Sequence, residues 1–353
     1  MDIFPNKILI IKPSSLGDIV TAMPVLIGLR RTFPNAHISW LVGKSFAELL
    51  ESQPELDELV VFDRRGASGA WRSPRAARIV GQLLSKLRRA RYDWVIDLQG
   101  LLRTGLFTRS TKAPMRAGFA DAREGAWIGY NRRIQVSVRH TMERNVELVR
   151  ALGVDARVED MKLTVSHQAM EYAQGVLHRL ALRKGGYLVC FLSTRWPTKV
   201  YPYRHWASVL AKLSQRVPMV LMGTSGEAEI AARLAQTLGP RVIDLVNQTS
   251  IPQMVAMVAD SGGVICPDSA ANFIAPALGV DVVTLIGPTK VERTGPVGTN
   301  VAITAPVPCQ GCLRKKCLHM TCMESISPES VAKSAEAMID KVTDGWSGQP
   351  PEN

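Results

Sequence analysis

Residues 7–12 read KILIIK, and they lead through PSSLGD (13–18) into the apolar stretch IVTAMPVLIGLRRTF (19–33). A short apolar run rich in Ile that meets Pro, Ser and Gly predicts a strand and a turn, and the longer stretch predicts a helix. Pro24 falls inside that helix and should kink or split it, because proline removes a hydrogen bond and crowds the preceding turn. The opening of the chain therefore predicts a βα unit.

The same alternation continues along the chain and restarts after about residue 160. The apolar runs are HISWLV (37–42), LVVFD (59–63), YDWVIDL (92–98), YLVCFL (187–192), VPMVLMG (217–223), RVIDLV (241–246), GGVICPD (262–268) and VVTLIG (282–287). Helices are expected around 44–52, over 167–186 and over 327–346. Strands that are apolar on both faces are typical of parallel sheets covered by helices on two sides. We expect an α/β protein with two Rossmann-like, doubly wound domains that face a cleft.

The length of 353 residues suits two ordinary domains. We assign residues 1–165 to an N-terminal domain, 166–326 to a C-terminal domain with a cysteine cluster, and 327–353 to a final helix and tail. The sequence contains neither a signal-peptide pattern nor an apolar stretch of the ~20 residues that a membrane span needs. The expected location is the cytoplasm, with contact to a membrane only at its surface.

Positive charge is concentrated in one region of the chain. The net charge is +12, and between Arg64 and Ala120 thirteen Lys and Arg residues stand against two acids, Asp93 and Asp97. Such a region indicates a polyanionic partner, namely nucleic acid, anionic lipid or a phosphorylated substrate. The alternative is a solvated basic surface that only aids solubility. The region lacks the interleaved aromatic residues of a nucleic-acid stacking platform, so no nucleic acid is expected.

Two turns carry residues suited to catalysis and phosphate binding. Asp18, on the glycine turn after the first strand, could take a proton from an acceptor hydroxyl, or it could cap the following helix. Ser193, Thr194 and Lys199 follow the first strand of the second domain, where hydroxyls and an ammonium suit diphosphate oxygens. An ordinary connecting loop with a solvated lysine is the other interpretation.

A third segment, Asp268-Ser269-Ala270, opens a helix. Small residues at a helix N-terminus let backbone N–H groups face a phosphate, and the same residues could act as a plain N-cap. The two interpretations are compatible.

Four cysteines form a local cluster: Cys309, Cys312, Cys317 and Cys322, with His319 between the last two. A CxxC followed by two further thiols suits a tetrahedral structural zinc, since cytosolic thiols bind metal more often than they form disulfides. Unliganded or partly oxidised thiols are the alternative. Neither interpretation gives the cluster a part in catalysis. Cys190 and Cys266 lie in apolar runs and are expected to be small buried residues.

Together these segments resemble family 9 glycosyltransferases, the lipopolysaccharide heptosyltransferases, over nearly the whole chain. The resemblance covers ILIIKPSSLGDIVTAMPVL, DLQGLLRT (97–104), HTMERNVELVRALG (140–153), STRWPTKVYPYRHW, PDSAANFIAPALGVDVVTLIGPT and the cysteine-bearing PCQGCLRKKC segment, in that order. It implies a GT-B fold and metal-independent, inverting transfer from an ADP-heptose-like donor to a lipid-linked anionic saccharide, the lipid A–core acceptor.

The resemblance also implies that the domain of residues 1–165 binds the acceptor and that the domain of residues 166–326 binds the nucleotide sugar. It further implies roles for individual residues. Asp18 would be the general base, and Arg103 and Arg123 would lie on the acceptor side. The donor-binding set would be Ser193, Thr194, Lys199, Glu227, Asp268, Ser269 and Ala270, and no cofactor would be required for catalysis. Glu227 falls where the family contacts the donor ribose.

The chain departs from the family pattern at two positions. Ala270 replaces the usual glycine, and Phe273 stands where the family has a histidine thought to face the transferred sugar or its phosphate. These departures leave open a different sugar or a non-catalytic nucleotide-sugar binder. A third alternative, from another class, is a basic nucleic-acid- or membrane-binding protein with a zinc knot.

Overall fold

The structure, a computed structural model, describes residues 4–69 and 73–342. The chain divides into two compact units, Met1–Met161 and Lys162–Asn353, called here unit 1 and unit 2. The final helix runs over Pro328–Val342, and the remainder of the helix and tail expected at 327–353 lies outside the described residues.

Unit 1 is built on a parallel six-stranded sheet in the order β3-β2-β1-β4-β5-β6. Its strands are β1 Lys7–Ile11, β2 His37–Gly43, β3 Glu58–Phe62, β4 Trp94–Asp97, β5 Met115–Phe119 and β6 Arg132–Ile134. Its helices are α1 Leu16–Val20, α2 Met23–Thr32, α3 Pro74–Arg89, α4 Leu102–Thr111 and α5 Thr141–Arg150. The central strands are buried on both faces, as their continuous apolar sequence requires.

Unit 2 repeats this architecture with its strands in the order β12-β11-β10-β7-β8-β9. The strands are β7 Leu188–Phe191, β8 Met219–Met222, β9 Val242–Asp244, β10 Gly263–Pro267, β11 Val282–Leu285 and β12 Val301–Ile303. The helices are α6 His167–Arg179, α7 Tyr203–Leu213, α8 Ala228–Leu238, α9 Ile251–Ala259, α10 Ala271–Ala277, α11 Val291–Thr294, α12 Thr321–Glu324 and α13 Pro328–Val342.

Both sheets have the same internal order, in which the first and fourth strands of the unit are neighbours at the centre. In open α/β sheets, ligands bind outside the carboxyl ends of the strands at this point of reversal. For unit 1 the relevant turns follow β1 and β4, and for unit 2 they follow β7 and β10. All the catalytic and phosphate-binding candidates at 18, 193–199 and 268–270 lie in or directly after these turns.

Several local expectations are corrected by the structure. The helix expected around 44–52 is only a 3₁₀ turn over Lys44–Leu49, and strands β5, β6 and β12 had no counterpart among the predicted runs. The helix expected over 19–33 is split as Pro24 predicted. The chain leaves α1 at Thr21, and Pro24 sits in the first turn of α2, where its missing N–H group is harmless.

Candidate functional site

The turn after β1 fixes the carboxylate of Asp18. The backbone N–H and the hydroxyl of Ser15 donate to Asp18 Oδ2 at 2.8 and 2.7 Å. Asp18 is half-buried at the third position of α1, and the residue that precedes the helix is Ser15. Asp18 therefore stabilises the helix start by accepting from Ser15, and not by capping the free N–H groups of the helix as the alternative interpretation expected. Both bonds use one oxygen, and within the described residues Oδ1 accepts no hydrogen bond. This contact and a catalytic role are therefore compatible.

A buried charged group behind Asp18 was missed by the sequence interpretation. Lys12 Nζ donates to the Leu98 carbonyl at 2.7 Å, and burial lowers the pKa of Lys12 against the opposing charges of Asp18 and Asp97. Burial likewise raises the pKa of Asp97, whose carboxylate accepts from the Tyr130 hydroxyl at 2.6 Å and from two backbone N–H groups. The one signal in the sequence was a lysine directly at the end of an apolar strand.

The two predicted acceptor-side arginines differ in their surroundings. The charge of Arg123 makes a small contribution to lowering the pKa of Lys12, after burial, so Arg123 lies within electrostatic range of that lysine. Its backbone N–H donates to the Gly100 carbonyl at 2.9 Å, which ties it to the turn after β4. Arg103 instead lies over the Phe62 ring at 5.6 Å, and burial lowers its pKa.

In unit 2, Lys199 and Asp268 form a buried ion pair between the turns after β7 and β10. Lys199 Nζ lies 2.9 Å from Asp268 Oδ2 and also donates to the Asp268 carbonyl at 3.2 Å. The same carboxylate oxygen accepts from the hydroxyls of Thr289 and Thr294. The side chains of the pair are 12% and 5% exposed, so the lysine is held in one place at the sheet edge.

Glu227 and Ser193 are also brought together. The Ser193 hydroxyl donates to Glu227 Oε1, while the Thr224 N–H and hydroxyl donate to Oε2 at 2.7 and 2.8 Å. Glu227 is buried in the turn after β8, 34 positions from Ser193 in the sequence. The carboxylate thus fixes the position of the serine in the turn after β7. Thr194 is half-buried in the same turn.

The start of α10 carries the remaining predicted donor residues. The Ser269 hydroxyl is buried next to Asp268, and Ala270 is the residue that precedes the helix. Burial raises the pKa of the Cys266 thiol, and a hydrogen bond with the Ser269 hydroxyl opposes that shift. Phe273 is 6% exposed within α10 and packs as a core residue.

A second lysine beside the Lys199 turn was also missed. Lys199 Nζ and Lys315 Nζ lie 4.7 and 4.9 Å from the centre of the Trp196 ring, and the Thr198 hydroxyl donates to the Arg314 carbonyl at 2.9 Å. The segment around 314 therefore adds positive charge to the turn after β7. The separation of more than a hundred residues explains why spacing alone could not reveal it.

The four clustered cysteines line one cavity of about 240 Å³ together with His319 and Thr198. Burial raises the pKa of the Cys322 thiol to about 11, with a further contribution from the charges of the other three cysteines. The donor set suits zinc, yet no three His, Cys, Asp or Glu side chains of the described chain stand in an arrangement that could hold a metal ion. The predicted zinc site remains a prediction.

Membrane spans are absent from the described chain: none of its helices is both long and apolar enough to cross a bilayer.

Comparison with known proteins extends this description. The sequence model of glycosyltransferase family 9 (heptosyltransferase) matches residues 80–323. Lipopolysaccharide heptosyltransferase 1 of Pseudomonas aeruginosa is 28% identical over 359 residues, which cover 94% of this chain and 98% of that protein. The protein of the same name from Escherichia coli K12 is 25% identical over 301 residues, 83% and 92% of the two chains.

Solved structures confirm the fold. A family 9 glycosyl transferase of Veillonella parvula superimposes with a TM-score of 0.82 at 20% identity, covering 97% of this chain and 99% of its own. The E. coli heptosyltransferase WaaC, solved with ADP, superimposes with a TM-score of 0.75 at 24% identity, covering 94% and 99%. The predicted fold, with two Rossmann-like units as in GT-B enzymes, is thereby confirmed. Because the family model matches more than half of the chain, the protein belongs to glycosyltransferase family 9 (heptosyltransferase) and is a glycosyltransferase.

Proposed function

We propose that this glycosyltransferase transfers a heptose from ADP-heptose to the inner core of lipopolysaccharide, with inversion and without a catalytic metal. The observation that carries the proposal is the group of Ser193, Lys199 and Asp268 at the carboxyl edge of the unit 2 sheet, held in place by buried hydrogen bonds. The proposal draws further support from relatives named lipopolysaccharide heptosyltransferase and from WaaC structures solved with ADP and with ADP-2-deoxy-2-fluoro heptose.

The donor diphosphate is the ligand that suits the unit 2 group. Lys199 and the Ser193 hydroxyl present hydrogen-bond donors, Thr194 and Ser269 add hydroxyls, and charge-assisted bonds to phosphate are the strong ones. Asp268 accepts from Lys199, so its part is to position the ammonium rather than to contact an anion itself. Glu227 positions Ser193 in the same manner, and its buried carboxylate leaves the ribose contact implied by the family as a proposal.

Asp18 is the proposed general base. Its carboxylate takes the proton from the acceptor hydroxyl while the acceptor oxygen forms a bond to the anomeric carbon from the face opposite the diphosphate. The bond from that carbon to the diphosphate oxygen breaks, and ADP leaves with the electron pair. Lys199 stabilises the charge that grows on the departing diphosphate, a type of electrostatic contribution that is usually large.

The acceptor is the proposed ligand of Arg123 and Arg103 in unit 1. Arg123 is close enough to Lys12 for its charge to act on that lysine, and a guanidinium there can pair with a carboxylate or phosphate of an anionic core saccharide. Arg103 is proposed as a second acceptor contact, farther along the turn and helix that follow β4.

The direct test is a pair of measurements on the purified protein. Calorimetry with ADP-heptose should give a dissociation constant, and a transfer assay with a lipid A–core acceptor should give a product in which the anomeric configuration is inverted. Donor binding without transfer to any core acceptor would contradict the proposed reaction.

A second candidate is a relative that uses another sugar or has lost activity, and Ala270 and Phe273 favour it. Phe273 is buried where the family is expected to carry a polar histidine, so that side chain offers no contact to a sugar phosphate. A thermal-shift series with different nucleotide sugars separates the candidates, since a ligand present at 100 times its dissociation constant stabilises by about 2.7 kcal/mol. ADP-heptose should give the largest shift if the first proposal holds.

We also propose a structural zinc in the cysteine cluster, because four thiols and His319 line one cavity, although zinc binding requires these side chains to come closer together than they stand here. The same cavity includes Thr198 of the Lys199 turn. A metal there would stiffen the donor turn and take no part in the chemistry. Elemental analysis of protein purified without chelators should find about one equivalent of zinc per chain. The proposed location is the cytoplasm, at the inner face of the membrane that carries the lipid-linked acceptor.

A further inference from the structure

Unit 1 carries an exposed apolar patch formed by Leu102, Leu106, Trp127 and Ile128. These side chains are 40%, 46%, 42% and 36% exposed. Leu102 and Leu106 are four residues apart and therefore share one face of α4. All four residues belong to unit 1.

The backbone of α4 packs closely against the turn that carries Trp127 and Ile128. A Cβ atom on Gly105 would lie 2.3 Å from the Ala126 carbonyl oxygen, and one on Gly129 would lie 2.1 Å from the Gly105 carbonyl oxygen. The 3₁₀ turn Ala126–Gly129 is thus pressed against α4 through Ala126 and Gly129, which are buried. The two residues between them, Trp127 and Ile128, are exposed beside α4.

Arginines border the patch. Arg109 continues the exposed face of α4 and donates to the Ile128 carbonyl at 3.4 Å, and the Arg133 guanidinium lies 4.7 Å from the centre of the Trp127 ring. Neither forms an ion pair within the described chain. One acid lies at the start of α4: the Glu124 carboxylate accepts from the backbone N–H of Leu102 at 3.3 Å.

The basic character extends over the neighbouring helix. α3 packs beside α4 and contains no acidic residue. Four of its arginines are exposed, at positions 75, 78, 88 and 89. The apolar patch is therefore surrounded by an excess of positive charge, which indicates what kind of partner can cover it.

We propose that this patch docks unit 1 on a bilayer of anionic phospholipid. Contiguous apolar side chains on a surface mark sites of interaction, and tryptophan with arginine is the combination that settles at the level of lipid headgroups. Each arginine near an anionic leaflet adds about 1 kcal/mol of attraction, and the arginine stems can lie along the apolar side chains. The reason for such docking rests on the proposed function, in which the acceptor is anchored in a membrane.

Flotation of the full chain with vesicles tests the proposal. Binding to vesicles of equimolar phosphatidylcholine and phosphatidylglycerol should be strong at low salt and much weaker on phosphatidylcholine alone. Trp127→Ser and Leu106→Ser should each weaken binding to the mixed vesicles about tenfold, by loss of apolar burial. Arg109→Ser and Arg133→Ser should each weaken it about fivefold. Met170→Ser, which removes a comparably exposed side chain from α6 in unit 2, should leave it unchanged.

A transfer assay on a deacylated, water-soluble acceptor separates this proposal from the proposed function. The patch variants should keep the parental rate there and lose rate only on acceptor embedded in vesicles. Flotation of Trp127→Ser and Leu106→Ser at the parental level would overturn the docking proposal, as would equal binding to neutral and anionic vesicles. Self-association through Trp127 without vesicle binding would overturn it too, and would make the patch an interface between copies. Failure of the unaltered chain to transfer to the soluble acceptor would count against the proposed function alone.

Discussion

Units 1 and 2 share a strand order, and each has a lysine after its first strand. The contacts of that lysine differ between the two units. In unit 1, Lys12 directly follows the first strand and donates to a backbone carbonyl after the fourth strand, with Asp97 contributing only through its charge. In unit 2, Lys199 follows the first strand and pairs directly with Asp268 after the fourth. The shared topology brings a lysine and an acid to the same point of each sheet, and the turns decide how they interact.

The difference matches the parts proposed for the two units. Burial disfavours the charged forms of Lys12 and Asp97: it lowers the pKa of the lysine and raises the pKa of the carboxyl. The charge of Asp18 acts on this lysine in the opposite direction. In unit 2 the ion pair with Asp268 keeps Lys199 in place, which is what binding a diphosphate requires. We therefore expect lesions in unit 1 to affect the chemical step and lesions in unit 2 to affect the donor first.

The largest effect should come from Asp18→Asn. The amide keeps an oxygen that can accept from Ser15, so α1 should stay folded, while the loss of a general base should lower kcat about 10²- to 10⁴-fold. Donor affinity measured by calorimetry should not change. Asp121→Asn, which alters an exposed partner of Arg144 in the same unit, is the matched control. If Asp18→Asn kept full turnover, Asp18 would not be the general base, and unit 1 would have no demonstrated part in the chemical step.

The next largest effect is expected for Lys199→Met, which should weaken donor binding and lower kcat/KM about 10²- to 10³-fold. Leaving Asp268 buried without its partner should also lower the free energy of unfolding, by about 3 kcal/mol. Adding Asp268→Asn should restore much of that stability, measured by denaturant unfolding, without restoring the affinity for the donor.

Lys184→Met serves as the control, because that ammonium pairs with Asp260 at an exposed position. If the double variant of Lys199 and Asp268 regained donor affinity as well as stability, the lysine would be a structural residue only. The distinction between a chemical unit and a donor-binding unit would then be lost.

The two units also differ in the contacts that hold the helix after the fourth strand. α4 is held by glycine backbones in contact at Gly105, whereas α10 is held by hydrogen bonds of the buried Asn272 to Thr284 and Thr294. Gly105→Ala should destabilise the protein by about 1–3 kcal/mol through overpacking. Gly81→Ala, in α3 with nothing within 4 Å of the added carbon, should stabilise by about 0.5–1 kcal/mol. Thermal unfolding of the two variants measures both; a neutral Gly105→Ala would show that the turn can move away.

The smallest expected effect is a pH dependence of the free energy of unfolding that comes from Asp97. Burial raises the pKa of this carboxyl above its ordinary value of about 4, so the folded state holds the proton more tightly than the unfolded chain does. Its contribution to stability is therefore fully present below about pH 4 and is lost as the pH rises through the folded pKa. The free energy of unfolding of the parent should exceed that of Asp97→Asn by the largest amount at low pH. A difference independent of pH would contradict the raised pKa.

Much of the fold followed from local sequence, and the exceptions share a cause. The central strands were located within one or two residues because burial on both faces demands a continuous apolar run. The missed strands β6 and β12 are three residues long and partly exposed, and RRI of β6 contains two arginines. The missed strand β5, MRAGF, contains an arginine and a glycine, so none of the three shows a continuous apolar run. The helix expected at 44–52 is instead a 3₁₀ turn of six residues, Lys44–Leu49.

By itself the sequence determined the strand–turn–helix alternation, the split at Pro24 and the turns that carry Asp18, Lys199 and Asp268, because these depend on neighbouring residues. The sequence pattern also established the family resemblance that the comparisons confirmed. Only the tertiary structure decided which distant groups meet. The contacts of Lys12 with Leu98, of Ser193 with Glu227 and of Thr198 with Arg314 join positions 86, 34 and 116 apart. Such pairs arise where parallel strands end at one edge of a sheet, and spacing along the chain carries no record of which ends become neighbours.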